Sequence, residues 1–189
     1  MPEHHFTRAR IVAALQAVGD ELTSEGVRGQ IFIVGDAAMA LAYSTRRVTR
    51  DIDAVFEPKS AIYAAAAKVA EEHGLPEDWL NDAAKGFMPG ADEHPRPVPD
   101  IAGIEIATAS PQYLLAMKLM AMRFGEDDED IRILLRECDL HSTEAVFDLL
   151  EQMYPLQEPS PKTRFFLEEL FGSVDSSAPR MPVPNVRPG

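Results

Sequence analysis

The stretch from Ile31 to Glu57, IFIVGDAAMALAYSTRRVTRDIDAVFE, decides how this chain is read. Its first four residues, Ile31-Phe32-Ile33-Val34, form an apolar run of strand length and β-branched character. Gly35-Asp36 breaks the run, and AAMALAY continues it with good helix formers. A basic loop follows, with Arg46, Arg47 and Arg50, and then a second strand, Asp51 to Phe56. Side chains two apart on a strand leave the same face, so Asp51 and Asp53 project together while Ile52 faces away. Two carboxylates so placed repel unless a cation joins them. Hard ions such as magnesium prefer oxygen ligands of this kind. Held there, the ion bridges nucleotide phosphates and offsets charge as a phosphoryl oxygen is displaced. A helix that starts after Gly35 would aim free backbone N–H groups at an anion.

Strand, glycine turn, helix and then Asp-hydrophobic-Asp on a second strand resembles the nucleotidyltransferase fold. The wording VGDAAMALAY…RRVTRDIDAVFEP is most similar to the AbiEii-type nucleotidyltransferases of bacterial toxin–antitoxin systems. PEDWLNDAAKGFMP, ASPQYLLAMKLMAMR and DDEDIRILL extend the resemblance over residues 7 to 171. It implies an α+β fold, a mixed sheet flanked by helices with a helical C-terminal portion. It also implies transfer of a nucleotide from an NTP, with Mg²⁺, to an RNA (tRNA among the candidates) or to a protein, and a cognate antitoxin as partner. Asp51 and Asp53 are then the metal ligands, with Glu105 the candidate for a third carboxylate from a later strand. Gly35, Asp36, Arg47 and Lys118 are expected at the nucleotide. Asp130, or Asp127 three residues earlier on the same face, is expected to orient Lys118 or the acceptor.

One residue departs from the pattern. The superfamily's turn is usually Gly-Gly or Gly-Ser, and here Asp36 follows Gly35. Asp is a good helix N-cap, worth about 0.5–2 kcal/mol over Ala, so capping alone accounts for it. A carboxylate there would also face the incoming triphosphate and repel it unless a metal intervenes. The alternative function is therefore a nucleotidyltransferase-fold module of impaired turnover that holds a protein partner.

The chain has 189 residues, enough for one domain or a domain with a helical appendage, and 46% are hydrophobic. No run approaches the ~20 apolar residues of a membrane span, and MPEHHFTRAR does not read as a signal peptide. Cys138 is the single cysteine, which excludes an internal disulfide and a cysteine zinc site. Cytoplasmic residence is the expectation. The net charge of −13, from 18 basic and 31 acidic residues, disfavours non-specific binding to nucleic acid. It argues against a DNA-binding role and confines any RNA contact to a local basic group, for which Arg46, Arg47 and Arg50 are available.

Along the chain, Ile11, Ala14, Leu15, Val18 and Leu22 predict an amphipathic helix over residues 7–25, closed by Gly26. His4 and His5 lie in a tail. Pro58 reads as the first-turn residue of a helix that Gly74 and Pro76 end. Trp79 and Leu80 anchor a short segment, and Asn81 and Asp82 read as turn residues. Four prolines between Met88 and Asp100 predict one long irregular loop. Ile101 to Thr108 reads as a strand with Glu105 opposite Ile104 and Ile106. Ser110-Pro111 starts a helix, YLLAMKLMAM, apolar nearly all round except for Lys118. Its ammonium must snorkel or meet an anion. Most of the acids from Glu126 to Asp130 read as a solvated, dipole-matched helix start. Ser142 begins a further helix with a capping box, and Lys162 to Phe171 a last one. The expected division is a core over 1–125, a helical portion over 126–171 packed on it, and a disordered tail over 172–189.

Overall fold

The structure, a computed structural model, describes residues 5–44, 47–98 and 101–175. Helix α1 (Arg8–Ser24) leads into strand β1 (Gly29–Ile33). Helix α2 (Gly35–Ala38) starts one residue later and widens into a π-helical turn over Met39–Tyr43, where Ser44 N–H reaches back to Met39 O at 2.7 Å. Strand β2 (Ile52–Glu57), helix α3 (Lys59–His73) and the two-residue strand β3 (Leu80–Asn81) follow. Strands β4 (Arg96–Val98) and β5 (Ile104–Thr108) precede four helices: α4 (Pro111–Met120), α5 (Asp128–Glu137), α6 (Thr143–Met153) and α7 (Pro161–Asp175). This is the expected α+β architecture, a mixed sheet with seven α-helices among the described residues.

The sheet order is β3-β2-β1-β5-β4. Strand β1 pairs antiparallel with β2 and parallel with β5, β4 is antiparallel to β5, and β3 runs parallel to β2. Alternation sorts the side chains. Ile31, Ile33, Ile52, Ala54, Phe56, Ile104 and Ile106 are buried in the one core cluster, which α1 and α3 join through Leu15, Val18, Leu22, Ile62 and Val69. Gln30, Phe32, Asp53, Val55, Glu57, Glu105 and Ala107 take the opposite face, which stays partly open. The same cluster reaches Val146, Leu150 and Leu167 on α6 and α7.

Helix α1 passes so close to the chain before β5 that a methyl group at Gly19 would collide with Ala102 O. At an open helix position Gly→Ala stabilises by roughly 1 kcal/mol. Here the obstacle is backbone, so Gly19→Ala is expected to destabilise by about 1–3 kcal/mol. Urea unfolding reads the sign directly; a stabilised variant would mean that α1 sits farther from the sheet than this.

Several expectations need correcting. The proline-rich segment contains strand β4, because an edge strand tolerates Pro97 where an interior one would not. Pro58 is the residue before α3 and not part of its first turn. Ser142 caps α6 alone, since the third residue on, whose N–H it accepts at 3.2 Å, is Ala145 and not an acid. Helix α7 includes 172–175, which were read as tail; the rest of the predicted disordered tail, with His4 and Arg46, lies outside the described residues. Ser110 caps α4 as predicted, with Pro111 in the first turn. No helix among the described residues is long and apolar enough to cross a membrane.

Candidate active site

Strand β1 ends where Val34 N–H donates to Asp53 O at 2.9 Å, which fixes the two strands at the point where the chain turns into α2. Gly35 makes that turn at φ +63°, in the left-handed region that glycine enters at least cost. A Cβ there would lie 3.4 Å from Asp53 Oδ2, so the Asp53 carboxylate rests against the backbone of the turn.

Asp51 stands just before β2 and Asp53 within it, on the open face, while Ile52 is fully buried on the other. Their charges are felt. Burial, then Asp51, then Asp36 push the Asp53 carboxyl up to about 6, against a weaker pull from Arg123. Asp51 is also raised, by burial first and then by Asp78 and Asp36, with the Asn81 amide opposing. Asn81 does the turn duty expected of it, accepting Ala83 N–H at 2.9 Å, and its amide also reaches Asp51 Oδ2 at 3.5 Å.

Beside this pair lies a second group with opposite character. Lys118 on α4 is only 7% exposed, and its ammonium lies 2.8 Å from Asp36 Oδ1, 2.6 Å from Asp127 Oδ1 and 2.9 Å from Asp130 Oδ2. It does not snorkel. Burial alone would lower the Lys118 pKa, but Asp36, Asp127 and Asp130 outweigh it and the value is raised. Arg47 Nη2 joins Asp36 at 3.1 Å and Asp130 at 3.2 Å. Arg123 Nη2 joins Asp36 at 3.3 Å and Asp127 at 3.2 Å, and Arg123 N–H also donates to Asp127 Oδ2 at 2.8 Å. Burial would raise the Asp36 carboxyl, yet Lys118, Arg47 and Arg123 bring it down to about 2.

Three readings change with this geometry. Asp36 is not an N-cap: Val34 holds that position without a side-chain bond, and Asp36 turns to the cations. Within the acidic run read as mostly solvated, Asp127 and Asp130 are each 2% exposed, and both of them, where one or the other was expected, meet Lys118. Glu105 does share the open face with Asp53. However, it pairs in register with Gln30, which lies opposite Glu57, and it accepts from Gln30 Nε2 at 3.1 Å. That row is about 13 Å from Asp53 along β2, and Glu105 is two strands over, which takes it out of reach of Asp51 and Asp53. The β5 end nearest Asp53 offers Thr108 and then Ala109, with no carboxylate. Arg123 is the site residue that sequence reading missed; it lies just beyond α4, and only its nearness to the Asp127 turn could have marked it.

The arrangement can do two things. Asp51 and Asp53 fit a hard divalent ion, since they are paired oxygen donors with raised pKa and no cation bound directly to either carboxylate among the described residues. Asp36, Asp127 and Asp130 also bring one carboxylate oxygen each within 4.8 Å of one another, close enough to hold a metal. There the Lys118 ammonium already lies against all three.

A family model described as a nucleotidyltransferase of unknown function (DUF6036) matches residues 10–167. The chain belongs to that family. Comparison with curated proteins and with solved structures gives no match. In this DUF6036 family member the match takes in both acidic groups, the glycine turn, most of α1 and helices α2 to α6. An open groove of about 340 Å³ continues the face from Asp53, floored by Phe32, Val55 and Ala107 and edged by Gln30, Glu57 and Glu105. No Lys or Arg among the described residues lines it.

Proposed function

We propose that this chain is a metal-dependent nucleotidyltransferase that moves a nucleotide from an NTP to an acceptor hydroxyl, as the toxin of an AbiEii-like toxin–antitoxin pair in the cytoplasm. The observation that carries the reading is the Asp51–Asp53 pair on the open sheet face, against the Gly35 turn and beside three clustered cations, of which Lys118 is buried. Asp51 and Asp53 would hold Mg²⁺, which would supply positive charge to offset that of the triphosphate. Gly35 leaves room for phosphate to approach the backbone. Lys118, Arg47 and Arg123 offer the charge that a pyrophosphate leaving group needs, and Asp127 and Asp130 hold Lys118 in place. The acceptor oxygen attacks the α-phosphorus, the bond to pyrophosphate breaks, and the acceptor proton passes to solvent or to a carboxylate of the pair. Positioning and electrostatics supply most of the rate.

RNA, tRNA included, and a protein hydroxyl are the two acceptor classes. The groove favours the second, because its carboxylate rim offers no partner for phosphates. Incubation with labelled NTP and Mg²⁺ beside total tRNA, and beside the candidate antitoxin, tests both. Label on neither acceptor nor the chain itself refutes the reading. A second reading, a binding module of low turnover, draws on the engagement of Asp36 with all three cations.

Metal binding should depend on pH in a particular window. With Asp53 raised to about 6, a divalent ion competes with a proton below that value. Mn²⁺ affinity, read by the spectroscopic signal of the free ion, is expected to level off above pH 7 and to fall toward tenfold per pH unit below about 6. A flat profile down to pH 5 would mean that Asp53 is not a ligand.

A further inference from the structure

Lys118, Arg47 and Arg123 converge on one spot, and a carboxylate of the chain itself fills it. Asp36 Oδ1 takes Lys118 at 2.8 Å and Arg47 at 3.1 Å, and Asp36 Oδ2 takes Arg123 at 3.3 Å. This is how three cations would grip a phosphate group. Three cations face Asp36, Asp127 and Asp130, and Arg123 also meets Glu126 at 3.3 Å, so the cluster offers no net attraction to another anion. Asp127 and Asp130 are buried and belong to α5 or its start; Asp36 is the more exposed member, 22% at the side chain. One donor is also left over: Arg47 Nε is buried with no hydrogen-bond partner among the described residues. A phosphate has more acceptor oxygens than a carboxylate and could satisfy it.

The other half of the observation concerns the metal pair. Asp51 and Asp53 have no third carboxylate from β5, and Glu105 is far along the sheet. Asp36 follows the glycine that touches Asp53 and is close enough for its charge to raise both carboxyls. A change of χ1 from one staggered position to the next moves a carboxylate by about 3–4 Å.

We propose that Asp36 is a two-position carboxylate: without metal it occupies the anion seat of Lys118, Arg47 and Arg123, and with a divalent ion on Asp51 and Asp53 it turns to that ion and frees the seat for a polyphosphate. The inference rests on the nucleotidyltransferase reading for the ion at Asp51 and Asp53 and for the identity of the polyphosphate as an NTP. It makes the order of binding metal first, and it explains how an acid can stand in a turn that usually carries Gly or Ser. Asp36 is then a positioning residue in the free protein and a metal ligand in the loaded one.

The test uses the full chain and two probes that need no turnover. Inorganic tripolyphosphate is titrated calorimetrically in EDTA, and Mn²⁺ is titrated without phosphate. Asp36→Asn keeps the shape and removes the charge. It is expected to bind tripolyphosphate at least tenfold more tightly than the wild-type protein and Mn²⁺ at least fivefold more weakly. Unchanged or weaker tripolyphosphate binding overturns the occupied seat, and unchanged or tighter Mn²⁺ binding overturns the exchange. Asp36→Ser, the shorter polar replacement, carries the same two expectations should the Asn variant fold poorly. If both shifts are found and labelled NTP is still never transferred, the switch stands and the nucleotidyl-transfer reading falls.

Discussion

Asp53→Asn is expected to make the metal-free protein more resistant to heat while cutting nucleotidyl transfer by a factor on the order of 10³. The two effects come from one cause. Raising a carboxyl from 3.8 to about 6 means that the folded state holds it ionised at a cost. At full weight the difference is about 3 kcal/mol. Partial contact with water reduces it to about 1–2 kcal/mol. The folded pKa lies above the unfolded one, so the penalty is absent below about pH 4 and complete once pH has risen past about 6. The variant's gain should therefore be seen at pH 7.5 and vanish near pH 4. Thermal melts at the two pH values, beside a transfer assay, check it. A variant that loses activity and stability together would mark Asp53 as structural.

Lys118→Met is expected to have the largest effect on stability, a loss of about 3–5 kcal/mol in urea unfolding at pH 7. Methionine fills the apolar surroundings of α4 well enough. The loss comes from Asp127 and Asp130, each 2% exposed, which keep Arg123 and Arg47 but lose the ammonium between them. Linkage provides a second check. In the wild-type protein Asp36 and Asp127 are lowered, so their contribution is present above the unfolded value near 4 and lost as pH falls through the folded ones. In the variant the buried acids should instead prefer a proton, and the deficit should shrink between pH 6 and 4. A loss under 1 kcal/mol would mean that the arginines hold the cluster without Lys118.

The sheet and its acidic pair were legible because they rest on local rules. A run of four apolar residues, a glycine that must turn, and Asp-Ile-Asp with its period of two specify where Asp51 and Asp53 go. Lys118 was legible for a related reason: one charge on an apolar helix has to be answered. What answered it was legible only in part. The resemblance named Asp130 or Asp127 as the partner, but the dipole rule applies equally to exposed and buried carboxylates, and only the packing of α5 on α4 separates both of them from Asp128 and Glu129. Asp36 misled in the same way, because capping and pairing use the same residue type and the choice lies with residues 82 and 87 positions later. Glu105 had the right face and the wrong row, and strand register cannot be counted from a single strand. Strand β4 was hidden by its prolines, which exclude an interior strand and leave an edge strand open.

The acids that seat the Lys118 ammonium arrive late. A ribosome that has released residues 1–125 has already delivered Asp51 and Asp53, the glycine turn and the lysine, yet neither Asp127 nor Asp130 has emerged. Such a fragment would carry its ammonium in apolar surroundings with Asp36 alone to meet it, so the pocket is left unfinished until α5 is made and docks.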